Sequence, residues 1–387
     1  MKKQFETNAI RTQLKRTENL EHSVPMYLTS SFVFEDAEDM RASFAEEKDR
    51  NVYSRYSNPN SSEFIEKVCQ MEGAEAGFAF ASGMAAVFST FAALLDSGDH
   101  ILSARNIFGS THSLFNNIFP KWNISHTYFK IDELDTVENR IQANTKIIFA
   151  ESPTNPGVDV VDLEVLGAIA KKHNLIYIVD NCFASPYLQQ PLKFGADLVI
   201  HSGTKLMDGQ GRVLAGMTVG NAVLIDKIYR FSRISGPSLS PFNAWVLSKS
   251  LETLAIRVDR HCENALKLAE FLEGHEKVNW VRYPFLQSHP KYDIAKKQMK
   301  AGGCVVAFEI KGGIEAGQKF FDSIKMLSLS ANLGDSRSIV THPASTTHSK
   351  LTVEERAETG VTDGMVRVSV GLEHIDDIIG DIRQALG

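Results

Sequence analysis

Two residues with the strongest chemical promise stand at the ends of apolar runs, Lys205 and Asp180. Lys205 closes Leu198-Val199-Ile200-His201-Ser202-Gly203-Thr204-Lys205, where an apolar stretch reads as a buried strand that runs out into small hydroxyl residues. In α/β proteins the carboxyl ends of strands open into the ligand crevice. A lysine there, with Ser202 and Thr204 beside it, can be partly dehydrated and form an imine with a carbonyl compound. Taken alone, Lys205 reads more readily as a solvated residue opening a loop, since lysines are mostly exposed. Asp180 shifts that balance, because it ends a second strand-like run, Leu175-Ile176-Tyr177-Ile178-Val179.

Together these groups are what pyridoxal phosphate requires of a protein. The lysine holds the aldehyde, and the carboxylate keeps the pyridine nitrogen protonated so that the ring takes up electrons. Ser82-Gly83-Met84 follows a strand-like run and opens a helix at 85–95. Free N–H groups at such a helix start make a phosphate site, although an ordinary N-cap gives the same pattern. Tyr53-Ser54-Arg55 puts a phenol and a guanidinium on one side of an extended segment, and an arginine can fork onto a phosphate. A surface arginine beside a half-buried tyrosine is an equal reading. Phe108, in a loop beyond 100–103, has the shape to stack on a cofactor ring or to join a core. Asn155, in Glu151-Ser152-Pro153-Thr154-Asn155-Pro156, can donate to a phenolic oxygen or simply shape a turn. Arg367 lies in the alternating run Met365-Val366-Arg367-Val368-Ser369-Val370, where it either grips a carboxylate or faces solvent. Asp208-Gly209-Gln210-Gly211-Arg212 lacks GxGxxG spacing and joins no strand to a helix, which argues against dinucleotide binding; a flexible backbone beside a bound cofactor suits it better. His342 and His348 fit no zinc spacing and have no cysteine near, so no metal is expected.

The pattern Val179-Asp180-Asn181, Ala184-Ser185-Pro186 and His201-Ser202-Gly203-Thr204-Lys205 resembles the trans-sulfuration, or Cys/Met-metabolism, family of pyridoxal-phosphate enzymes. The likeness runs from Ala9-Ile10-Arg11 to Val370-Gly371-Leu372-Glu373. It implies that Lys205 carries the cofactor, that Asp180 faces its ring nitrogen, and that Ser82, Gly83, Met84, Ser202 and Thr204 hold its phosphate. It implies further that Tyr53 and Arg55 come from a neighbouring subunit, with Tyr53 also near the substrate and catalytic with Lys205 and Asp180. Asn155 matches a residue on the phenolic oxygen, and Arg367 matches the arginine that grips the substrate α-carboxylate. Asn332 stands where many members have serine, touching the lysine or that carboxylate. Phe108 replaces a tyrosine found in most members, keeping the ring stack without the hydroxyl. Ser110 replaces the reactive cysteine of methionine γ-lyases. Asp-Gly-Gln-Gly-Arg at 208–212 resembles the branch that makes homocysteine from O-acylhomoserine and sulfide, with succinyl favoured over acetyl. The expected partners are an amino-acid substrate, sulfide and further copies of the chain in a homotetramer with shared sites. Cystathionine γ-synthase is the nearest alternative, and a γ-lyase ranks below it.

The elements that must position these residues are legible as alternation. Strand-like runs fall at 77–81, 100–103, 125–129, 146–150, 176–180, 198–201 and 217–220, with amphipathic pieces such as 162–172 between several of them. This predicts an α/β protein whose large, mostly parallel mixed sheet carries helices on both faces. The resemblance makes it a type I pyridoxal-phosphate transferase fold, aspartate-aminotransferase-like. A helix is expected after Asn58-Pro59-Asn60, capped by Ser61 or Ser62. Past Ser248 the texture changes: a long helical stretch at 243–272, strands at 278–283, 305–310 and 365–370, and helices at 315–323 and 375–386 predict a smaller α+β domain. The expected division is 1–58, an extended arm reaching a neighbouring subunit; 59–248, the cofactor domain; and 249–387, the C-terminal domain.

Bulk properties agree with this. A chain of 387 residues suggests two or three domains at ~150 residues each and can bury sizeable cores. The net charge of −6, without a lysine/arginine cluster, argues against nucleic-acid binding. Residues 78–95 are long and apolar, but Ser82-Gly83 divides them into strand and helix, so no membrane span is expected. The first eight residues lack the apolar core of a secretory signal. Cys69, Cys182, Cys262 and Cys304 are far apart, as reduced thiols of a cytoplasmic protein would be.

Overall fold

The computed structural model describes residues 3–347, 349, 352, 356 and 360–387. Among these, two sheets organise the chain. The larger contains β1 (Ala76–Phe80), β2 (His100–Ala104), β3 (Ser125–Phe129), β4 (Thr145–Glu151), β5 (Ile176–Asp180), β6 (Leu198–Ser202) and β7 (Gly216–Gly220), in the order β1-β7-β6-β5-β4-β2-β3. Strand β7 runs against both of its neighbours, while β3, β2, β4, β5 and β6 are mutually parallel. Parallel pairs need long crossovers that cover both faces, so their strands read as continuous apolar runs. The buried Ile147, Ile148, Phe149, Ala150, Ile178, Val179, Leu198, Val199 and Ile200 show that reading at work. Each strand of this sheet lies within one residue of its expected ends.

The smaller sheet orders β8 (Val278–Arg282), β9 (Val305–Ile310), β10 (Ser328–Leu329), β11 (Ile339–Thr341) and β12 (Met365–Ser369) as β10-β11-β12-β9-β8. The helices Leu254–Glu273 and Gly313–Ser323 pack against it, and Ile375–Leu386 packs against both helices. In the last of these, Ile375, Ile378, Ile382 and Ala385 form the buried stripe that a 3.6-residue period produces. Only β10 and β11 were not foreseen. Two or three residues carry no periodicity.

Three other expectations change. The helix Pro59–Glu72 is capped by Asn58, not by Ser61 or Ser62: the Asn58 side chain accepts the Asn60 N–H at 2.9 Å, and Pro59 has no N–H to leave orphaned. The long stretch at 243–272 is two helices, Pro241–Leu251 and Leu254–Glu273. The Ser250 carbonyl is diverted to the Thr253 N–H (3.2 Å) and to the buried Arg257 guanidinium (3.0 Å), which interrupts the ladder. Within residues 1–58, the short helices Phe5–Arg11 and Ala37–Phe44 punctuate the extended chain. The middle of this segment is tied to the rest of the chain: Trp245 donates to the Val24 carbonyl at 2.9 Å, and Asn60 bonds both Pro25 and Tyr27.

Positioning of the site follows from register. Glu151 on β4 pairs with Asp180 on β5, and Asp180 pairs with Ile200 on β6, so three parallel strands end level. The helix Gly83–Leu94 leaves β1 and starts against the end of β6. A Cβ on Gly83 would sit 2.9 Å from the Ser202 Cβ, and one on Gly216 would sit 2.0 Å from the Ser82 carbonyl oxygen. Only glycine lets this helix start approach so closely.

Candidate active site

At the carboxyl ends of β4, β5 and β6 lies a cavity of about 280 Å³. Its walls include Ser82, Gly83, Met84, Phe108, Asn155, Asp180, Ser202, Thr204 and Lys205, all of them foreseen in the sequence. Ser82 caps the helix by accepting the Ala85 N–H at 3.1 Å. The N–H groups of Gly83 and Met84, in the first turn, have no acceptor within the helix. Ser202 stands against them. Thr204 is less available, because its hydroxyl accepts the Ala215 N–H (3.0 Å) and faces the Ala215 carbonyl (3.3 Å).

Lys205 reaches across to the second sheet's connections, where Nζ donates to the Asn332 Oδ1 at 2.7 Å. Burial and, less strongly, the Arg367 charge push its amine below the usual lysine range, which favours the neutral, nucleophilic form. Arg367, on β12, is buried; it donates to the Asn155 Oδ1 (2.8 Å), the Asn332 carbonyl (3.0 Å) and the Thr341 hydroxyl (3.3 Å). Its Nε has no partner among the described residues. Burial lowers this guanidinium to about 10, and it stays cationic at neutral pH. Because Arg367 engages the Asn155 carbonyl oxygen, the amide turns its donor side free for a ligand.

Two buried carboxyls line the same cavity. Asp180 Oδ1 accepts the Cys182 N–H at 3.0 Å, and burial raises its pKa. Glu151 is raised further by burial and then by Asp180, although it accepts N–H groups from Phe108 (2.7 Å) and Asn155 (2.9 Å). Sequence reasoning missed Glu151 as a site residue. The available signal was its place at the end of a parallel strand, the same place that exposed Asp180. Cys182 was also missed as a wall residue. Its Sγ accepts the Ser202 N–H at 2.9 Å, and burial followed by the Asp180 charge holds it as a thiol, so it is structural here and not a nucleophile.

Tyr53 and Arg55 are not among the residues that line the cavity. Arg55 donates to the Arg233 carbonyl and lies over the Tyr56 ring at 4.7 Å, while Tyr53 is largely exposed. Ser110 is exposed on the short helix Gly109–Ser113 and does not line the cavity. The loop at 208–212 is pinned, contrary to the expected flexibility: Asp208 accepts the Arg212 backbone N–H (2.7 Å), and Arg337 donates to the Gln210 carbonyl (3.0 Å). His342 is tied to the Ser345 hydroxyl (2.6 Å) and the Asp363 carbonyl (2.9 Å), whereas His348 lies outside the described residues.

The donor set fits pyridoxal phosphate. A glycine-opened cradle of helix N–H groups and a hydroxyl stands at one end, with a dehydrated lysine and a buried carboxyl in the same cavity, and an unpartnered buried guanidinium nitrogen stands at its edge.

Comparison with known proteins agrees. The pattern that defines the Cys/Met metabolism PLP-dependent enzymes matches residues 6–387. An O-succinylhomoserine sulfhydrylase of Pseudomonas aeruginosa is 45% identical over 99% of this chain and 95% of its own length. An L-methionine gamma-lyase of Fusobacterium nucleatum is 43% identical over 94% of this chain and 93% of its own. Among solved structures, a candidate O-acetylhomoserine (thiol)-lyase of Campylobacter jejuni superposes with a TM-score of 0.94 at 36% identity, covering 99% of both chains. That structure holds N'-pyridoxyl-lysine-5'-monophosphate.

Proposed function

This chain belongs to the Cys/Met metabolism PLP-dependent enzymes, and on that footing we propose that it replaces the γ-acyloxy group of an O-acylhomoserine with sulfide. The products are homocysteine and the free carboxylate, and O-succinylhomoserine is the favoured ester. The observation that carries this reading is the cavity that Lys205, half-buried and bonded to Asn332, shares with Asp180, Glu151 and a phenylalanine wall. The relative from Pseudomonas aeruginosa supports the choice of ester and nucleophile.

When bound, the cofactor supplies an electron sink that stabilises negative charge at the substrate α-carbon. The chain's own residues do the rest. Gly83, Met84 and Ser202 would hold the phosphate, and Asp180 the ring nitrogen. Burial alone raises the Asp180 carboxyl, and a cationic nitrogen against it would keep it ionised. Arg367 binds the α-carboxylate, with Nε and the fork edge as donors. Lys205 Nζ is the proton carrier: it removes the α-proton, passes it on and removes a proton from Cβ as the acyl carboxylate leaves Cγ, and after hydrosulfide adds at Cγ a proton returns to Cβ and then to Cα. Its lowered pKa suits an amine that must act as base and acid in turn. Phe108 packs the ring and carries no proton, which leaves that work to Lys205 or to a tyrosine reached from outside the subunit. Tyr53 and Arg55, outside the cavity here, read as groups given to a second copy's site, in a cytoplasmic homotetramer.

A γ-lyase, releasing a 2-oxo acid and ammonia, is the second reading, favoured by the relative from Fusobacterium nucleatum. The test is a comparison of kcat/KM for O-succinylhomoserine and O-acetylhomoserine with sulfide, then with cysteine. A clear preference for the succinyl ester with sulfide is expected; cystathionine as the dominant product would transfer the protein to the synthases.

A further inference from the structure

The backbone ladder joining β4, β5 and β6 gives out where the cavity begins. Its last rungs run from the Ser152 N–H to the Asp180 carbonyl (3.3 Å) and from the Asn181 N–H to the Ile200 carbonyl (2.9 Å). Beyond them each strand turns into a loop that bears a wall residue: Asn155 after β4, Cys182 after β5 and Lys205 after β6. The separation of these groups is therefore set by whatever holds the turns together.

A chain of buried side chains does so, and none of its members lines the cavity. One proton of the Gln189 amide goes to the Ser152 carbonyl (2.8 Å) and the other to the Asn181 Oδ1 (2.9 Å). Asn181 returns a bond to the Gln189 carbonyl (2.8 Å) and reaches the Glu72 Oε1 (3.3 Å). The same Glu72 oxygen meets the His201 Nε2 at 2.6 Å, which brings in β6. Gln298 closes the other end, donating to the Gln189 Oε1 (3.1 Å) and the Val161 carbonyl (2.9 Å). A single NH2 group thus clamps the turn after Glu151 to the turn after Asp180, and Asn181 with Glu72 extends the clamp to the strand that carries Lys205.

We propose that Gln189 is a positioning residue of this site: it sets where Asp180 and the 151–155 turn stand relative to Lys205. The proposal rests on the reading of the cavity given above. In Gln189→Met, of similar length but without amide protons, two buried acceptors lose their donor and the turns are released. Gln298→Met is the control, since it removes another buried amide of the same chain while leaving both Gln189 donor bonds in place.

The experiment uses the full-length protein, stripped of and then reloaded with pyridoxal phosphate. It measures the cofactor Kd by equilibrium dialysis, the visible circular dichroism of the bound cofactor, and kcat and KM for O-succinylhomoserine with sulfide. Gln189→Met is expected to raise Kd and lower kcat by about tenfold each, to diminish the visible dichroism, and to leave KM within about threefold. Gln298→Met should lose comparable thermal stability yet keep Kd and dichroism within about twofold. Equal behaviour of the two variants, or unchanged Kd, dichroism and kcat in Gln189→Met, overturns the proposal. If Gln189→Met does not fold, Glu72→Met breaks the next link by removing the oxygen that Asn181 and His201 share, and unchanged Kd and dichroism there overturn it equally. Should the natural protein release a 2-oxo acid instead of homocysteine, the substrate assignment fails while the affinity and dichroism arms still decide the role of Gln189.

Discussion

Replacing Asn332 with leucine removes the oxygen that accepts the Lys205 ammonium at 2.7 Å while nearly preserving side-chain volume. A hydrogen bond to a charged group contributes about 1.5–3 kcal/mol, and the neutral amine, a weaker donor, keeps only part of that. A net loss of about 1.4 kcal/mol to the charged form raises the ratio of neutral to charged amine by about tenfold. Burial and Arg367 already push this amine below the ordinary lysine range, so the substitution acts in the same direction. Addition to an aldehyde needs the neutral amine. At a pH where the natural amine is still mostly charged, apo Asn332→Leu should therefore take up pyridoxal phosphate about tenfold faster. Stopped-flow absorbance across a pH series reads this directly. The rate curve should move to lower pH and reach the same plateau, where both amines are neutral. A curve that stays in place, or moves to higher pH, would refute the assignment of Asn332 as the partner that governs Lys205.

Lys205→Ala should abolish turnover while the protein folds and keeps its far-ultraviolet spectrum; measurable steady-state activity would remove Lys205 from the chemistry. Asp180→Asn, equal in size but uncharged, should bind cofactor more weakly and lose about 10²-fold or more in kcat, and a near-normal rate would deny it the ring nitrogen. Arg367→Lys keeps the charge and loses the fork; KM for the amino-acid ester should rise about 10–100-fold, the worth of a charge-assisted bond. An unchanged KM would place the α-carboxylate elsewhere.

Much of this arrangement was legible in the sequence because a parallel sheet writes its strands as uninterrupted apolar runs. Lys205 and Asp180 stood out as polar residues closing such runs, and the helix start at Ser82-Gly83-Met84 stood out by its small residues. Glu151 closes a run in the same manner but sat inside a proline-rich motif that drew attention to Asn155. Gln189 carries no local signal at all, since its importance comes from Ser152 and Asn181 being brought to it by two different strands. The break after Leu251 was hidden for a similar reason: helix propensity continues through it, and a tertiary arginine, Arg257, interrupts the ladder. Tyr53 and Arg55 were expected to serve a neighbouring subunit, and a single chain leaves them outside the cavity, bonded within their own surface.

The central claim is that this cavity replaces the γ-substituent with sulfide in preference to eliminating it. One measurement tests this most directly: cofactor-loaded protein is given O-succinylhomoserine, with and without sulfide, and homocysteine, 2-oxo acid and ammonia are quantified against ester consumed. The account predicts that homocysteine accounts for most of the ester when sulfide is present. A 2-oxo acid and ammonia as the main products with sulfide present would contradict it and give the site to a lyase.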